Sequence, residues 1–280
     1  MLVGIGAPKC ATSWVHDNLR HHPKITANPI KEIHYFDQAY GTDPSPFPLR
    51  IIEVQGIYKH YKDSAHTAPN AFALEWLERY LSPVPMDDQW YLSLFEHVPD
   101  DSVGMDVSPG YSTMSMEGFQ HLRRTLPNAR ILFQMRNPVE RCWSQFRRDV
   151  IEVINKPLST DHIIRLLNKT EYVYSSYGQT LEYLFRTFHK REVMCAFYED
   201  IIEGPTDFMQ SLCEFLEIDF DLSHFPELDR RSNETGSKDA MPQEVREHLR
   251  KKHHKTYEMV ATHLGSVPLN WQKEFDHGEA

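Results

Sequence analysis

The sequence predicts an α/β fold in which a parallel β-sheet is covered by helices on both faces. Two observations predict it. Four short segments have the β-branched, apolar character of buried strands, and long helical patterns separate them. Strands that alternate with helices pair side by side in parallel, so we expect one sheet in a single domain of residues 1–280. The predicted strands span residues 2–6, 103–107, 130–135 and 193–198.

The clearest predicted helix follows the third of these strands. From residue 138 to residue 154 apolar side chains recur every three or four positions, and Asn137 and Pro138 supply an N-cap and a first-turn proline. A second helical pattern, long and charged, spans residues 243–264. Turn-forming residues concentrate at 41–48 and 229–242, so we expect loops there.

Composition excludes several classes of protein. The 280 residues include 30 Lys and Arg against 40 Asp and Glu, a formal net charge of −10. Proteins that follow a nucleic-acid backbone carry clustered basic charge, so no nucleic-acid partner is expected. No apolar run approaches the roughly 20 residues of a membrane-spanning helix, and the N-terminus lacks the pattern of a signal peptide. We therefore expect no membrane partner and a cytoplasmic location.

Cysteine and histidine usage predicts no metal site. The spacing of the four cysteines matches neither a zinc site nor a disulfide framework, so we expect free thiols in a reduced compartment. The pairs His21-His22 and His253-His254 also lack metal-ligand spacing and are expected at the surface of helices. The cysteines are Cys10, Cys142, Cys195 and Cys213.

The first candidate site is the turn after the first strand. Small residues lead from Gly4 into Lys9, and Thr12 and Ser13 then open a helix. Such a turn directs backbone N–H groups and a helix N-terminus at one point, where they stabilise a phosphate, and Lys9 adds a positive charge. An ordinary strand-to-helix turn explains the same residues, and from this segment alone both interpretations stay open.

A magnesium-nucleotide site fits this loop poorly. In the kinase-type loop the lysine is followed at once by Ser or Thr, whose hydroxyl binds Mg²⁺. Here Cys10 and Ala11 intervene, and Arg136 ends the third strand where a metal-binding aspartate would be expected. The loop therefore favours a phosphate-like group held by lysine and backbone donors without a metal.

Arg136 and Ser144 form the second candidate site. Arg136 stands where a strand ends and a helix begins, which is where ligands bind in α/β folds, and its guanidinium suits a phosphate. Ser144 lies on that helix, away from its apolar stripe. A strand-end charge and a solvated serine are the alternative interpretation.

These segments resemble the two nucleotide-binding signatures of sulfotransferases that use 3′-phosphoadenosine 5′-phosphosulfate (PAPS). Residues 8–14 (PKCATSW) are similar to that family's 5′-phosphosulfate loop, and Arg136 and Ser144, eight residues apart, to its 3′-phosphate site. Residues 31–37 (KEIHYFD) and 106–111 (DVSPGY) resemble segments of the heparan-sulfate-type branch. The resemblance covers residues 3 to about 217 and implies a three-layer P-loop NTPase-like domain with a central parallel sheet and helices on both faces.

The resemblance also implies roles for individual residues in binding PAPS and releasing the product PAP. Lys9 would offset the charge that grows on the leaving group. Arg136 and Ser144 would bind the 3′-phosphate, and Lys238 is the nearest equivalent of a nucleotide-contacting loop near the C-terminus. The cradle around the phosphosulfate would consist of Lys9, Cys10, Ala11, Thr12, Ser13 and Trp14, the last stacking on the nucleotide or packing beside it.

By the same resemblance Glu32 is the candidate general base, which would take the proton of the acceptor hydroxyl. His34 is the alternative base, since cytosolic members of the family use histidine. It would point to the same side as Glu32 if this stretch is extended. We expect Glu32, His34, Ser108 and Tyr111 to contact the acceptor. A solvated loop pair is the other interpretation of Lys31 and Glu32.

The chemical class of the acceptor is predicted from one difference from the family pattern and from the net charge of the chain. Val107 stands where the heparan-sulfate-type branch commonly has lysine, and the chain is acidic, so a sulfated polysaccharide fits poorly. We expect transfer to a hydroxyl or amine of a small molecule, with a carbohydrate or glycolipid as the alternative, in a pocket shaped by segments 41–100 and 155–180. Two alternative functions stay open, a P-loop phosphotransferase and a scaffold protein. A homodimer stays open as the oligomeric state.

Overall fold

The computed structural model describes residues 1–41, 47–63, 68–169, 173–230 and 240–276. Lys238 lies outside the described residues. Within the described ranges five strands form one sheet of order β2-β3-β1-β4-β5, in which each neighbouring pair is parallel. The strands are β1 (Leu2–Gly6), β2 (Ile25–Ala27), β3 (Val103–Val107), β4 (Arg130–Met135) and β5 (Val193–Phe197).

The structure confirms the four predicted strands and adds one. β2 has only three residues, and its edge position beside β3 comes from pairing that no local pattern encodes. Strand β5 ends one residue before the predicted boundary, because Tyr198 already begins a helix.

Fourteen α-helices lie within the described residues. Helix 243–264 is confirmed, whereas the predicted helix 138–154 divides into a helix, a π-helical turn at Arg147–Ile151 and a short second helix. The predicted loop at 41–48 ends where a helix begins at Phe47. The helices are α1 (Thr12–Leu19), α2 (Tyr35–Tyr40), α3 (Phe47–Asp63), α4 (Ala68–Tyr80), α5 (Asp88–Ser93), α6 (Met116–Thr125), α7 (Pro138–Phe146), α8 (Glu152–Ile154), α9 (Thr160–Lys169), α10 (Tyr177–Thr187), α11 (Tyr198–Glu203), α12 (Pro205–Leu216), α13 (Gln243–Leu264) and α14 (Leu269–Asp276).

The sheet separates two hydrophobic cores, as expected for strands that are buried on both faces. Alternate residues of β4 face opposite sides: Ile131 and Phe133 pack with α6, α10 and α13, and Leu132 packs with α1 and α12. The three-layer arrangement of helices on both faces of a parallel sheet is thereby confirmed. His22 and His253 are buried, which corrects their predicted surface position.

Strand order places a crevice at the carboxyl ends of β1 and β4. The chain leaves β1 toward β2 and β3 on one side and returns to β4 on the other. Ligands of open α/β sheets bind where the order reverses in this way. No helix among the described residues is long and apolar enough to cross a bilayer.

Candidate active site

The loop after β1 has the backbone of an anion-binding turn. Lys9 and Ala11 adopt left-handed conformations, with φ of 68° and 64°. Left-handed residues of this kind turn successive N–H groups toward one side of the chain and form an anion-binding concavity. Helix α1 begins directly afterwards at Thr12. Gly6, with φ of 122°, lets the loop pass Pro109, whose carbonyl oxygen would lie 2.5 Å from a Cβ at this position.

Charged side chains of both signs act on Lys9. Burial lowers the pKa of Lys9, and the positive charges of Arg148 and Arg136 lower it further, whereas the negative charges of Asp149 and Glu152 raise it. Arg148 belongs to the π-helical turn that interrupts the predicted helix. Because burial disfavours the charge of Lys9, an anionic ligand at the end of β1 would stabilise it.

Two residues predicted for the nucleotide cradle direct their side chains into the core. The Cys10 thiol is buried, 3.9 Å from the Tyr177 hydroxyl, so only the backbone of Cys10 belongs to the loop surface. Trp14 donates from Nε1 to the carbonyl oxygen of Leu228 at 3.3 Å, and its ring lies 6.2 Å from that of Phe208. Trp14 therefore packs beside the cradle, the second of the two roles expected for it.

The 31–37 segment approaches the loop from β2, and its backbone is not extended as expected. Glu32 and His34 are both left-handed, with φ of 68° and 58°. Four side chains from α3, α4 and the turn after β3 hold this conformation by hydrogen bonds to the backbone. Arg50 and Tyr80 donate to the carbonyl oxygens of Lys31 and Ile33, whereas Ser108 Oγ and the Tyr111 hydroxyl accept from the N–H groups of His34 and Tyr35.

Glu32, His34 and Asp37 form a chain of side chains. His34 Nε2 lies 3.4 Å from Glu32 Oε2, and His34 Nδ1 lies 2.7 Å from Asp37 Oδ2. Burial opposes the charge of His34, but hydrogen bonds to Asp37 and Glu32 outweigh it and raise its pKa to about 9. Burial also opposes the charge of Glu32, yet the His34 hydrogen bond and the Lys31 charge lower its pKa to about 2.

This charge distribution favours Glu32 over His34 as the base. Glu32 is an ionised carboxylate and can accept a proton, whereas a doubly hydrogen-bonded, charged imidazole has no lone pair to offer. Asp37 fixes the ring from the opposite side. The arrangement therefore favours a positioning role for His34.

Ser108 and Tyr111 lie behind the 31–37 segment. Both are fully buried, and both donate to Asp106, Ser108 Oγ at 2.7 Å and the Tyr111 hydroxyl at 2.8 Å. Their burial favours support of the backbone at His34 and Tyr35 over the expected contact with an acceptor. Asp106, whose carboxylate joins the two hydroxyls, belongs to the 106–111 segment, but the sequence analysis gave it no role of its own.

The second motif is also built into the crevice. The guanidinium of Arg136 lies 4.5 Å from the centre of the Tyr198 ring, and its carbonyl oxygen accepts from the Tyr177 hydroxyl at 2.9 Å. Asn137 caps α7 by accepting from the N–H of Val139 at 3.0 Å. Ser144 follows two turns later and is partly exposed.

Lys31 joins the loop to the candidate base, a contact that sequence reasoning missed. Its Nζ lies 3.3 Å from Thr12 Oγ1, 3.2 Å from Ser13 Oγ and 2.9 Å from Glu32 Oε1. The pair is therefore not the solvated loop pair considered above. The only signal in the sequence was the position of Lys31 beside Glu32.

A separate cluster of His22, Asp219 and His224 places potential ligand atoms within 4.8 Å of one another. His22 Nδ1 accepts from the N–H of Lys24 at 3.1 Å, so the ring proton is on Nε2, which lies 2.9 Å from the carbonyl oxygen of Asp219. Nε2 of His22 thus donates to a backbone oxygen, and the cluster is described as a hydrogen-bonded contact.

Comparisons with known proteins find sulfotransferases. A model described as the sulfotransferase family matches residues 2–222. Human carbohydrate sulfotransferase 15 is 25% identical over 154 residues, which are 51% of this chain but only 26% of that protein. The chain thus spans about a quarter of the length of this relative.

Solved structures show the same fold over nearly the whole chain. A sulfotransferase from Alicyclobacillus acidocaldarius superimposes with a TM-score of 0.67 at 20% identity, covering 97% of this chain and 98% of that one. The sulfotransferase domain of the Synechococcus PCC 7002 olefin synthase gives 0.59 at 16% identity, covering 96% and 95%. The predicted P-loop NTPase-like fold is confirmed. Because the family model covers most of its length, the chain belongs to the sulfotransferase family.

Proposed function

We propose that the protein, acting as a single domain, transfers the sulfuryl group of PAPS to a hydroxyl or amine of a small-molecule acceptor and releases PAP. The observation that carries the proposal is the contact between the anion-binding loop and the 31–37 segment, which brings Glu32 beside Thr12 and Ser13 through Lys31. A donor cradle and an ionised carboxylate side by side are what in-line transfer requires.

In the proposed step one bond to sulfur forms, another breaks, and one proton is transferred. For a hydroxyl acceptor, the oxygen attacks sulfur, the bond from sulfur to the bridging oxygen breaks, and that electron pair stays on the phosphate of PAP. The hydroxyl proton passes to Glu32. Lys9 and the loop amides stabilise the charge that grows on the leaving oxygen, so the step as proposed uses no metal.

Arg136 and Ser144 are assigned to the 3′-phosphate. The ring of Tyr198 packs against the guanidinium of Arg136 and restricts its motion. A guanidinium held in this way favours bidentate hydrogen bonds to a phosphate. The assignment of Lys238 to the nucleotide stays a prediction.

A carbohydrate or glycolipid acceptor is the second candidate, favoured by the name of the human relative. Val107 and the net charge of −10 favour a neutral or cationic small molecule instead.

Helices α3 and α4 hold the 31–37 segment through Arg50 and Tyr80, which supports the expectation that segment 41–100 shapes the acceptor pocket. Transfer from labelled PAPS to a panel containing both classes of acceptor distinguishes them.

The donor site is tested by thermal denaturation with PAP. At a hundred times its Kd, PAP adds about 2.7 kcal/mol, which raises Tm by roughly 5–10 °C. Lys9→Ala and Arg136→Ala are expected to abolish the shift. Arg186→Ala, which removes an exposed arginine paired with Glu182, is expected to keep it. Absence of any shift in the unmodified protein with both PAP and PAPS contradicts the proposal.

The base is tested with Glu32→Gln. This variant is expected to bind PAP as the unmodified protein does and to lose transfer by about 10²–10⁴-fold, the usual contribution of a general base. Glu75→Gln, at an exposed helical glutamate, is the control and should leave turnover unchanged. An unchanged rate of transfer in Glu32→Gln, measured under single-turnover conditions, would assign the role of the base to His34 or another group.

A further inference from the structure

Lys31 occupies an unusual position for a lysine, largely buried between two functional elements. Its side chain is only 17% exposed. An ammonium group has three protons to donate, and the three acceptors around Nζ are the hydroxyls of Thr12 and Ser13 and the carboxylate of Glu32. The side chain is thus ordered by the loop on one side and by the candidate base on the other.

The three acceptors of Lys31 lie along the path of the proposed reaction. Thr12 and Ser13 form the first turn of α1, where the loop turns its N–H groups toward an anion. Glu32 belongs to the acceptor side. The ammonium of Lys31 therefore lies between the anion-binding loop and the candidate base, whereas the charges that act on Lys9 come from Arg136 and from the π-helical turn that contains Arg148.

We propose that Lys31 binds the sulfuryl group during its transfer and leaves Glu32 as it does so. The inference rests on the proposed function and extends it, because it makes donor binding the event that releases the base. Lys31 keeps its proton throughout, and no bond to it forms or breaks. It exchanges one anionic partner, the Glu32 carboxylate, for another, the sulfuryl oxygens.

The electrostatics of Glu32 support this exchange. Burial raises the pKa of Glu32, and the His34 hydrogen bond together with the charge and hydrogen bond of Lys31 lower it. When Lys31 turns to the sulfuryl group, the pKa of Glu32 rises and its basicity increases, although His34 still contacts Oε2. The base is then strongest when the donor is in place, so that proton removal from the acceptor is coupled to the presence of PAPS.

The test compares nucleotides that differ only in the sulfuryl group. For Lys31→Met, calorimetry without acceptor is expected to show Kd for PAPS raised about 10–100-fold, the value of a hydrogen-bonded charge contact. Kd for PAP should rise no more than about threefold. Lys31→Arg, which keeps the charge, should restore most of the preference for PAPS. Equal weakening of both nucleotides, or no weakening of PAPS, overturns the inference.

Lys24→Met is the matched control, because Lys24 is exposed and paired with Asp101. It should bind both nucleotides as the unmodified protein does. If the unmodified protein binds neither nucleotide, the proposed function fails and the inference fails with it. If it binds both while Lys31→Met loses them equally, only the role of Lys31 is overturned.

A second measurement needs no variant and so does not depend on folding of Lys31→Met. Acylation of lysines in the unmodified protein, followed by mass spectrometry, reports the reactivity of Lys31 with Lys24 as the internal reference. PAPS is expected to slow labelling of Lys31 at least about threefold more than PAP does, because only PAPS offers the sulfuryl oxygens. Equal protection by the two nucleotides overturns the inference.

Discussion

At the scale of single residues, His34 contacts both carboxylates of the candidate site. Its ring lies between the carboxylates of Glu32 and Asp37, and the two contacts raise its pKa from the ordinary value of 6.5 to about 9 despite burial. A group whose pKa is raised on folding stabilises the protein fully below the unfolded pKa, and that stabilisation is lost as pH rises through the folded pKa. The pH window for His34 therefore runs from about 6.5 to about 9.

Asp37→Asn tests this pair from mildly acidic to alkaline pH. Removing the carboxylate is expected to lower Tm clearly at about pH 5.5, below the ordinary histidine pKa of 6.5, where His34 is charged in the folded and the unfolded state. The difference from the unmodified protein should shrink as pH rises to about 9.5, because folded His34 loses its charge there. Asp100→Asn, at an exposed position, is the control. A Tm difference that is constant across this range contradicts the assignment.

At the scale of elements, the turn after β3 and helix α2 must approach closely to form the site. The 3₁₀ turn Pro109–Thr113 passes directly over Asp37. A Cβ built on Gly110 would lie 2.0 Å from Asp37 Oδ2 and 3.4 Å from His34 Nδ1. Only glycine leaves room for the contact between His34 and Asp37.

Gly110→Ala is therefore expected to damage both stability and catalysis. Overpacking should cost about 1–3 kcal/mol of unfolding free energy, measured in urea. Displacing Asp37 should also reduce transfer, while PAP binding at the loop is retained. Gly56→Ala is the matched control, since no atom lies near its added Cβ and its position inside α3 favours alanine by up to about 1 kcal/mol. Equal stability of the two variants would refute the close contact.

At the scale of the whole molecule, the C-terminal helices support the start of α7 beside the crevice. Trp271 of α14 is fully buried, and its Nε1 donates to Glu199 Oε1 at 2.8 Å. The same carboxylate accepts from the N–H of Asn137 at 3.3 Å, and the hydroxyl of Tyr257 donates to Asn137 Oδ1 at 2.8 Å. Residues beyond the family match at 222 thus fix the start of α7 beside Arg136.

Trp271→Ala is expected to destabilise the protein by about 3–5 kcal/mol, as loss of a buried tryptophan does. Loosening the start of α7 should in addition weaken PAP binding at a temperature where the variant is still folded. Leu269→Ala, on the same helix but 72% exposed, should change neither quantity. Unchanged PAP affinity in folded Trp271→Ala would show that the C-terminal helices stabilise the fold without organising the nucleotide site.

Much of the fold could be predicted because its signals are local. The apolar segments of β1, β3, β4 and β5 and the pattern of α13 are encoded by neighbouring residues. β2 is only three residues long, and the π-helical turn interrupts a continuous apolar pattern, so local sequence did not reveal either. The structure decided these through pairing and packing.

The sequence by itself determined which chemistry is available here: Lys9 in a small-residue turn, Arg136 at a strand end, and Glu32 and His34 two residues apart. Tertiary structure decided how these groups are used. It placed Lys31 against Thr12 and Ser13, gave His34 its charge through two carboxylates, and buried Ser108 and Tyr111 as supports. The physical reason is that charge, burial and hydrogen bonding depend on distances between residues far apart in the chain, which a linear pattern does not contain.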